Sequence, residues 1–127
     1  QMMWDSARSA GATHTKKRPE MGDLAFFDNT YDRDRDGRWN DELTHIGVVI
    51  DVDLDGTILI AHAGTSKGRT TMKMNLYEPD LRTSEDGDVL NDYLRAQSSR
   101  DPDDAKRLAG QLWRGFATLD SDGLVSP

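Results

Sequence analysis

His45 and His62 bracket the stretch in which this chain could do chemistry. Imidazole titrates near neutral pH, so one ring can take a proton from a nucleophile while a second polar group fixes its tautomer. That chemistry needs both rings at one place and a nucleophile on a facing element, typically at a helix N-terminus. A lone histidine at a strand end is ordinarily structural. Two that converge make a candidate base and its orienter.

The intervening sequence is suited to bringing them together. His45-Ile46-Gly47-Val48-Val49-Ile50 and Thr57-Ile58-Leu59-Ile60-Ala61 are β-branched runs, and Asp53-Leu54-Asp55-Gly56 between them supplies turn residues. The segment from Thr44 to His62 therefore reads as an antiparallel hairpin. His45 opens its first strand and His62 closes its second, so both lie at the same end. Around this hairpin the expected sheet contains 24–27, 45–51, 57–61 and 70–75, the last from the alternation of Met72, Met74 and Leu76 with polar residues. Met3, Ala7 and Ala10 follow helical spacing, with Gly11 as a stop. Thr13 to Pro19, with Lys16, Lys17 and Arg18, reads as a solvated loop. Ala63 to Gly68 reads as a small-residue loop, and a short helix is expected over 89–96. Ala105, Leu108, Ala109, Leu112, Phe116 and Leu119 form one apolar stripe at helical spacing, which predicts a helix over 103–119 capped near Asp101 or Asp103.

The 127 residues are expected to form a single α+β domain with one core. A formal charge of −7 argues against nucleic acid or an anionic membrane as a partner for the whole surface. No apolar run is long enough to span a bilayer. There is no cysteine, hence no disulfide, no thiolate ligand and no cysteine nucleophile within these residues. Ser6 and Ser9 are the hydroxyls near the N-terminal helix, and neither sits in a nucleophile motif.

Gly22-Asp23-Leu24-Ala25-Phe26-Phe27, then Thr44-His45-Ile46-Gly47-Val48-Val49, then Ile60-Ala61-His62-Ala63-Gly64 resemble, in order and spacing, the C-terminal two-thirds of an NlpC-type cell-wall cysteine peptidase. The related CHAP amidases share the papain-like plan. The resemblance implies an antiparallel sheet with flanking helices, with His45 as the general base and His62 as the group that orients it. It further implies peptidoglycan peptide or amide bonds as substrate and an extracytoplasmic location. The family's nucleophile lies in an Asp-Cys-Ser-type motif at a helix start, well upstream of the Gly-Asp strand. Trp4-Asp5-Ser6 does not replace it, because serine's far higher pKa leaves almost no nucleophilic anion at neutral pH. Either the nucleophile helix has been removed by truncation, or the chain is a non-catalytic relative. The non-methionine start leads to the first expectation, with an upstream segment or a second chain supplying the cysteine.

Asp32-Arg33-Asp34-Arg35-Asp36-Gly37-Arg38-Trp39-Asn40-Asp41-Glu42 resembles the first half of an EF-hand calcium loop. Carboxylates at positions 1, 3 and 5 converge on one centre, glycine at 6 makes the turn, and the Arg38 carbonyl stands at position 7. Leu43 replaces the closing bidentate glutamate, so Asp41 or Glu42 would have to close the shell. The same string also reads as an Asp-rich surface turn neutralised by its arginines. Asp51-Val52-Asp53-Leu54-Asp55-Gly56 matches the pattern too, but its place between two strands makes its aspartates turn formers.

Three functions follow from these readings. The first is a peptidoglycan-directed cysteine hydrolase domain, inactive as it stands for want of a thiolate. The second is a non-catalytic module of the same fold that binds wall peptides or a partner protein. The third is a calcium-stabilised α+β interaction domain whose histidines are structural.

Overall fold

The computed structural model describes residues 2–30, 44–65, 68–95 and 106–118. In chain order the elements are α1 (Met2–Ser9), β1 (Thr13–His14), β2 (Leu24–Phe27), β3 (His45–Val52), β4 (Ile58–Thr65), β5 (Gly68–Met74), α2 (Ala109–Leu112) and β6 (Trp113–Ala117). The six strands form one sheet in the order β1-β6-β2-β3-β4-β5, antiparallel at every pairing.

The hairpin β3–β4 follows from its sequence. Gly56 takes φ 91°, and its N–H donates to the Asp53 carbonyl at 3.0 Å. Asp53 N–H donates to the Thr57 carbonyl at 2.8 Å, and the Asp55 carboxylate accepts the Thr57 N–H at 2.8 Å. Asp53 thus closes the turn through its backbone, while the Asp55 side chain serves the backbone as an Asx-turn residue does. Gly56 is doubly required, since a Cβ there would lie 2.5 Å from the ring of Tyr77.

The two faces of the sheet bury different things. One face carries Ala25, Phe27, Val49, Ile58, Ile60, Met72, Met74 and Phe116, packed against Leu76, Ala109 and Leu112 from the segments that cross it. Phe27 and Phe116 are fully buried, and each contributes about 2–3 kcal/mol relative to exposure. Among the described residues the opposite face is covered by α1 at the β1-β6-β2 side of the sheet, where Trp4 and Ala7 meet Phe26 and Ala117. Over β3 no described residue covers it, and Ile46, Val48 and Ile50 are exposed.

Several expectations need correction. Among the described residues, 106–118 contain no long helix: Ala109–Leu112 is a single turn, and Trp113–Ala117 is a strand seated between β1 and β2. Gly115 weakens a helix by about 1 kcal/mol relative to alanine, and the edge of β2 would otherwise be left unpaired. Gly115 also admits the Trp4 ring, which a Cβ would approach to 2.9 Å. A register shift between Phe26 and Phe27 sets Phe27 against Trp113 and Phe26 against Gly115, so Arg114 is the extra residue of a bulge. The bulge turns Trp113 onto the same face as Phe116. The segment 89–95 is not helical; it is held by bridges Thr83↔Val89 and Tyr93↔Leu108. Thr13–His14 is a strand rather than loop, and β4 and β5 run further toward each other than the small-residue loop suggested.

Candidate active site

His45 is the first residue of β3, opposite Phe27 of β2. His62 lies in β4, opposite Gly47. His45, Gly47 and Val49 alternate onto the face that carries Ile60 and His62, so the two histidines are diagonal neighbours on the core face. Their rings meet edge to face, 87° between planes, with Nε2 of His45 2.8 Å from Nδ1 of His62. The distance is that of a single N–H···N bond. Phe27 forms the floor beneath His45, with ring centroids 6.2 Å apart.

Burial disfavours the charged form of both rings. Desolvation lowers the pKa of His45 below the usual imidazole value, and the neighbouring His62 lowers it further. His62 is likewise lowered by desolvation, while the Asp92 carboxylate partly offsets this. Neutral imidazole is the form in which a histidine can accept a proton. Because the bond runs through Nε2 of His45, the atom left to face a reactant is Nδ1, which makes no hydrogen bond among the described residues. For Nδ1 to be the basic nitrogen, Nε2 must carry the proton and donate it to His62 Nδ1. His62 then carries its own proton on Nε2.

The third histidine is built differently. Nε2 of His14 donates to Oδ2 of Asp23 at 2.8 Å, and its Nδ1 accepts the Lys16 N–H at 3.2 Å. Both nitrogens are engaged, so this ring clamps rather than catalyses. Asp23 is 1% exposed and also accepts the Glu20 N–H at 3.1 Å. Gly22, at φ 93°, donates to the Val49 carbonyl at 2.7 Å, and Val49 N–H returns to the Asp23 carbonyl at 2.8 Å. The Gly-Asp pair thereby fixes β2 to β3, at the end of β2 away from His45. Its residue types were visible in the sequence; its partner His14, in a run read as loop, was not.

A strap crosses the histidine face. At one end Asp92 grips the edge of β5, with its N–H on the Lys73 carbonyl at 2.9 Å and its Oδ2 taking the Lys73 N–H at 2.7 Å. At the other end buried Arg95 reaches the Asn29 carbonyl, just beyond β2, at 2.6 Å. Leu94 between them packs on the core cluster. Asn91, fully buried, anchors the start of the strap: its Oδ1 accepts from Asn75 N–H (2.9 Å) and Gly110 N–H (3.0 Å), and its Nδ2 donates to the Glu78 (2.8 Å) and Leu81 (2.9 Å) carbonyls. None of these residues carried a sequence signal, because their partners are joined only by tertiary contact.

The other candidate residues are not brought to the histidines. Ser6 and Ser9 are exposed on α1, over the opposite face. Asp32, Asp34, Asp36, Arg38, Asp41 and Glu42 lie outside the described residues. Among the described residues no group of three His, Asp or Glu side chains is placed to hold a metal ion. No helix among them is long and apolar enough to cross a membrane.

No curated protein and no solved structure gives a significant match to this chain. A family model described as the CHAP domain matches residues 1–64, half of the 127, and the matched span holds α1, the Gly22-Asp23 turn and both facing histidines. The chain belongs to the CHAP domain family.

Proposed function

We propose that this chain is the histidine-bearing part of a peptidoglycan-directed cysteine hydrolase with a papain-like plan, cleaving peptide or amide bonds of the bacterial cell wall outside the cytoplasm. The observation that carries the proposal is the 2.8 Å contact between His45 Nε2 and His62 Nδ1. His45 would be the general base, acting through Nδ1, and His62 would hold the tautomer that leaves Nδ1 basic. The 127 residues contain no cysteine, so the thiolate must come from outside them, from an upstream segment or a second chain. A cysteine at a helix N-terminus suits the role, because the dipole there lowers the thiol pKa.

The missing cysteine also favours a second reading: a module of the same fold that holds wall peptides without cleaving them. One assay separates the two. The chain, joined to its native upstream sequence, is incubated with purified peptidoglycan, and newly released amino groups are measured. Hydrolysis that is abolished in His45→Ala and lowered about 10- to 100-fold in His62→Ala supports the enzyme. Undiminished release by His45→Ala removes the catalytic reading. Binding to peptidoglycan without release, by the extended parent, establishes the module instead.

A further inference from the structure

Tyr93 is 55% exposed at the middle of the strap, and two guanidiniums are held against its ring. Arg82 lies 4.9 Å and Arg107 4.6 Å from the ring centroid, both within cation–π range. Each arginine stands on a fixed backbone. The Arg82 carbonyl accepts the Leu90 N–H at 2.9 Å, and the Arg107 carbonyl accepts the Leu94 N–H at 2.8 Å. Arg107 Nε donates to the Arg95 carbonyl at 3.2 Å, which aims the guanidinium while leaving both terminal nitrogens without a hydrogen bond among the described residues. The nearest carboxylate to Arg82 is Asp92, whose Oδ1 stands 3.9 Å from Nη1. That is close enough for charge attraction but too long for a hydrogen bond, and Nη1 is a buried donor with no acceptor. Asp92 has its other oxygen committed to Lys73 N–H.

We propose that Arg82 and Arg107, both held against Tyr93, form a carboxylate-binding subsite on the strap. Arg82 Nη1 is buried, so a ligand would meet Arg82 through its other donors, and these together with the terminal nitrogens of Arg107 suit the two oxygens of a carboxylate. The tyrosine orders both cations before the ligand arrives, and its ring is thereby taken up as a spacer rather than as a stacking platform. Tyr93 lies on the strap between the Asp92 grip on β5 and the Arg95 grip beyond β2. A peptide carboxylate is favoured over a polyphosphate. Glu85, Asp86 and Asp88 follow Arg82 on the turn closed by the Thr83↔Val89 bridge, and they, in a protein whose whole-chain net charge is −7, would repel a chain of negative charges. The subsite stands on its own geometry; that its ligand is a wall peptide rests on the function proposed above.

The probe is tri-alanine with a free C-terminal carboxylate, compared with tri-alanine amide, glycerol phosphate and poly(glycerol phosphate), by NMR titration of the parent chain. Tri-alanine acid should shift the Tyr93 and Leu94 amides, and the amide should bind at least about tenfold more weakly. Arg82→Gln and Arg107→Gln should each weaken the acid about tenfold, with Arg107→Lys recovering only part of the loss. Equal binding of acid and amide by the parent overturns the subsite without needing any variant to fold. Tighter binding of poly(glycerol phosphate) than of the acid overturns the carboxylate assignment. Soluble peptides released from peptidoglycan form the last arm. If the acid binds through both arginines and these peptides do not, the subsite stands and the wall-peptide reading falls.

Discussion

Gly47 faces His62 across the β3–β4 pair, and its missing side chain leaves room for Ile60, the neighbour of His62 on the same face of β4, to pack against it. A Cβ on Gly47 would lie 2.4 Å from Cγ2 of Ile60, 3.1 Å from the Ala61 carbonyl and 3.5 Å from Cβ of His62. Ile60 is fully buried and cannot swing aside into solvent. The glycine is therefore required by the packing beside His62 although it has no chemistry of its own.

Gly47→Ala should destabilise the fold by about 1–3 kcal/mol, the cost of overpacking a filled core. By displacing Ile60, two residues from His62 on the same strand face, it should also disturb the ring pair, seen as a change in the shared N–H···N signal in imidazole nitrogen spectra. An alanine variant with parental urea midpoint and an unchanged His45–His62 signal would show that the space is not needed.

Acid should weaken the protein through this pair. Both folded-state pKa values lie below the ordinary imidazole value, so near pH 6 the unfolded chain binds more protons than the folded one. The stability due to the pair is complete above about pH 6.5, the unfolded pKa, and is lost as pH falls through the lowered folded values. Thermal midpoints of the parent should fall in that window, and those of His45→Gln should fall less. A slope as steep in His45→Gln as in the parent would place the acid sensitivity elsewhere.

Asn91→Ala should cost about 3 kcal/mol or more, because it strips partners from the N–H groups of Asn75 and Gly110 and from the carbonyls of Glu78 and Leu81. Gly110→Ala should be damaging for a related reason, since a Cβ there would lie 2.6 Å from the Asn91 amide oxygen and 2.9 Å from Cα of Pro79. Urea unfolding measures both. A loss below about 1 kcal/mol for Asn91→Ala would mean that water replaces the amide.

The acidic loop is proposed to hold one calcium ion through Asp32, Asp34, Asp36 and the Arg38 carbonyl, with Asp41 or Glu42 closing the shell. Calorimetry of metal-free protein should give one site in the parent and weakened binding in Asp34→Ala and Asp36→Ala. Equal affinity in all three, or none in the parent, would leave the loop as a surface turn.

The histidine hairpin was legible because two independent signals agree there, alternation along β3 and β4 and a turn string between them. The strand β6 was not. Leu108, Leu112 and Phe116 are spaced by four, which keeps residues on one face of a helix and equally on one face of a strand, so the stripe could not choose between them. What decided it was the open edge of β2, a tertiary fact. The site divides along the same line. His45 and His62 are joined by a local hairpin, whereas His14 with Asp23, and Asp92 with β5, meet only after the sheet has formed.

The place of β6 also sets an order of assembly. It is made near the end of the described chain yet sits between β1 and β2, so every pairing it makes on β1 and β2 joins residues far apart in sequence. During synthesis the β3–β4 hairpin can close on the microsecond scale once it emerges, but Leu112 and Phe116, part of the floor of the histidine face, arrive last. Until Ala117 clears the ribosome, β1 has no strand to pair with, α1 has only β2 to rest on, and the edge of β2 stays open to other chains. A nascent chain stalled before Trp113 would therefore be the aggregation-prone species, and its rescue would depend on supplying the final strand rather than on repairing the hairpin.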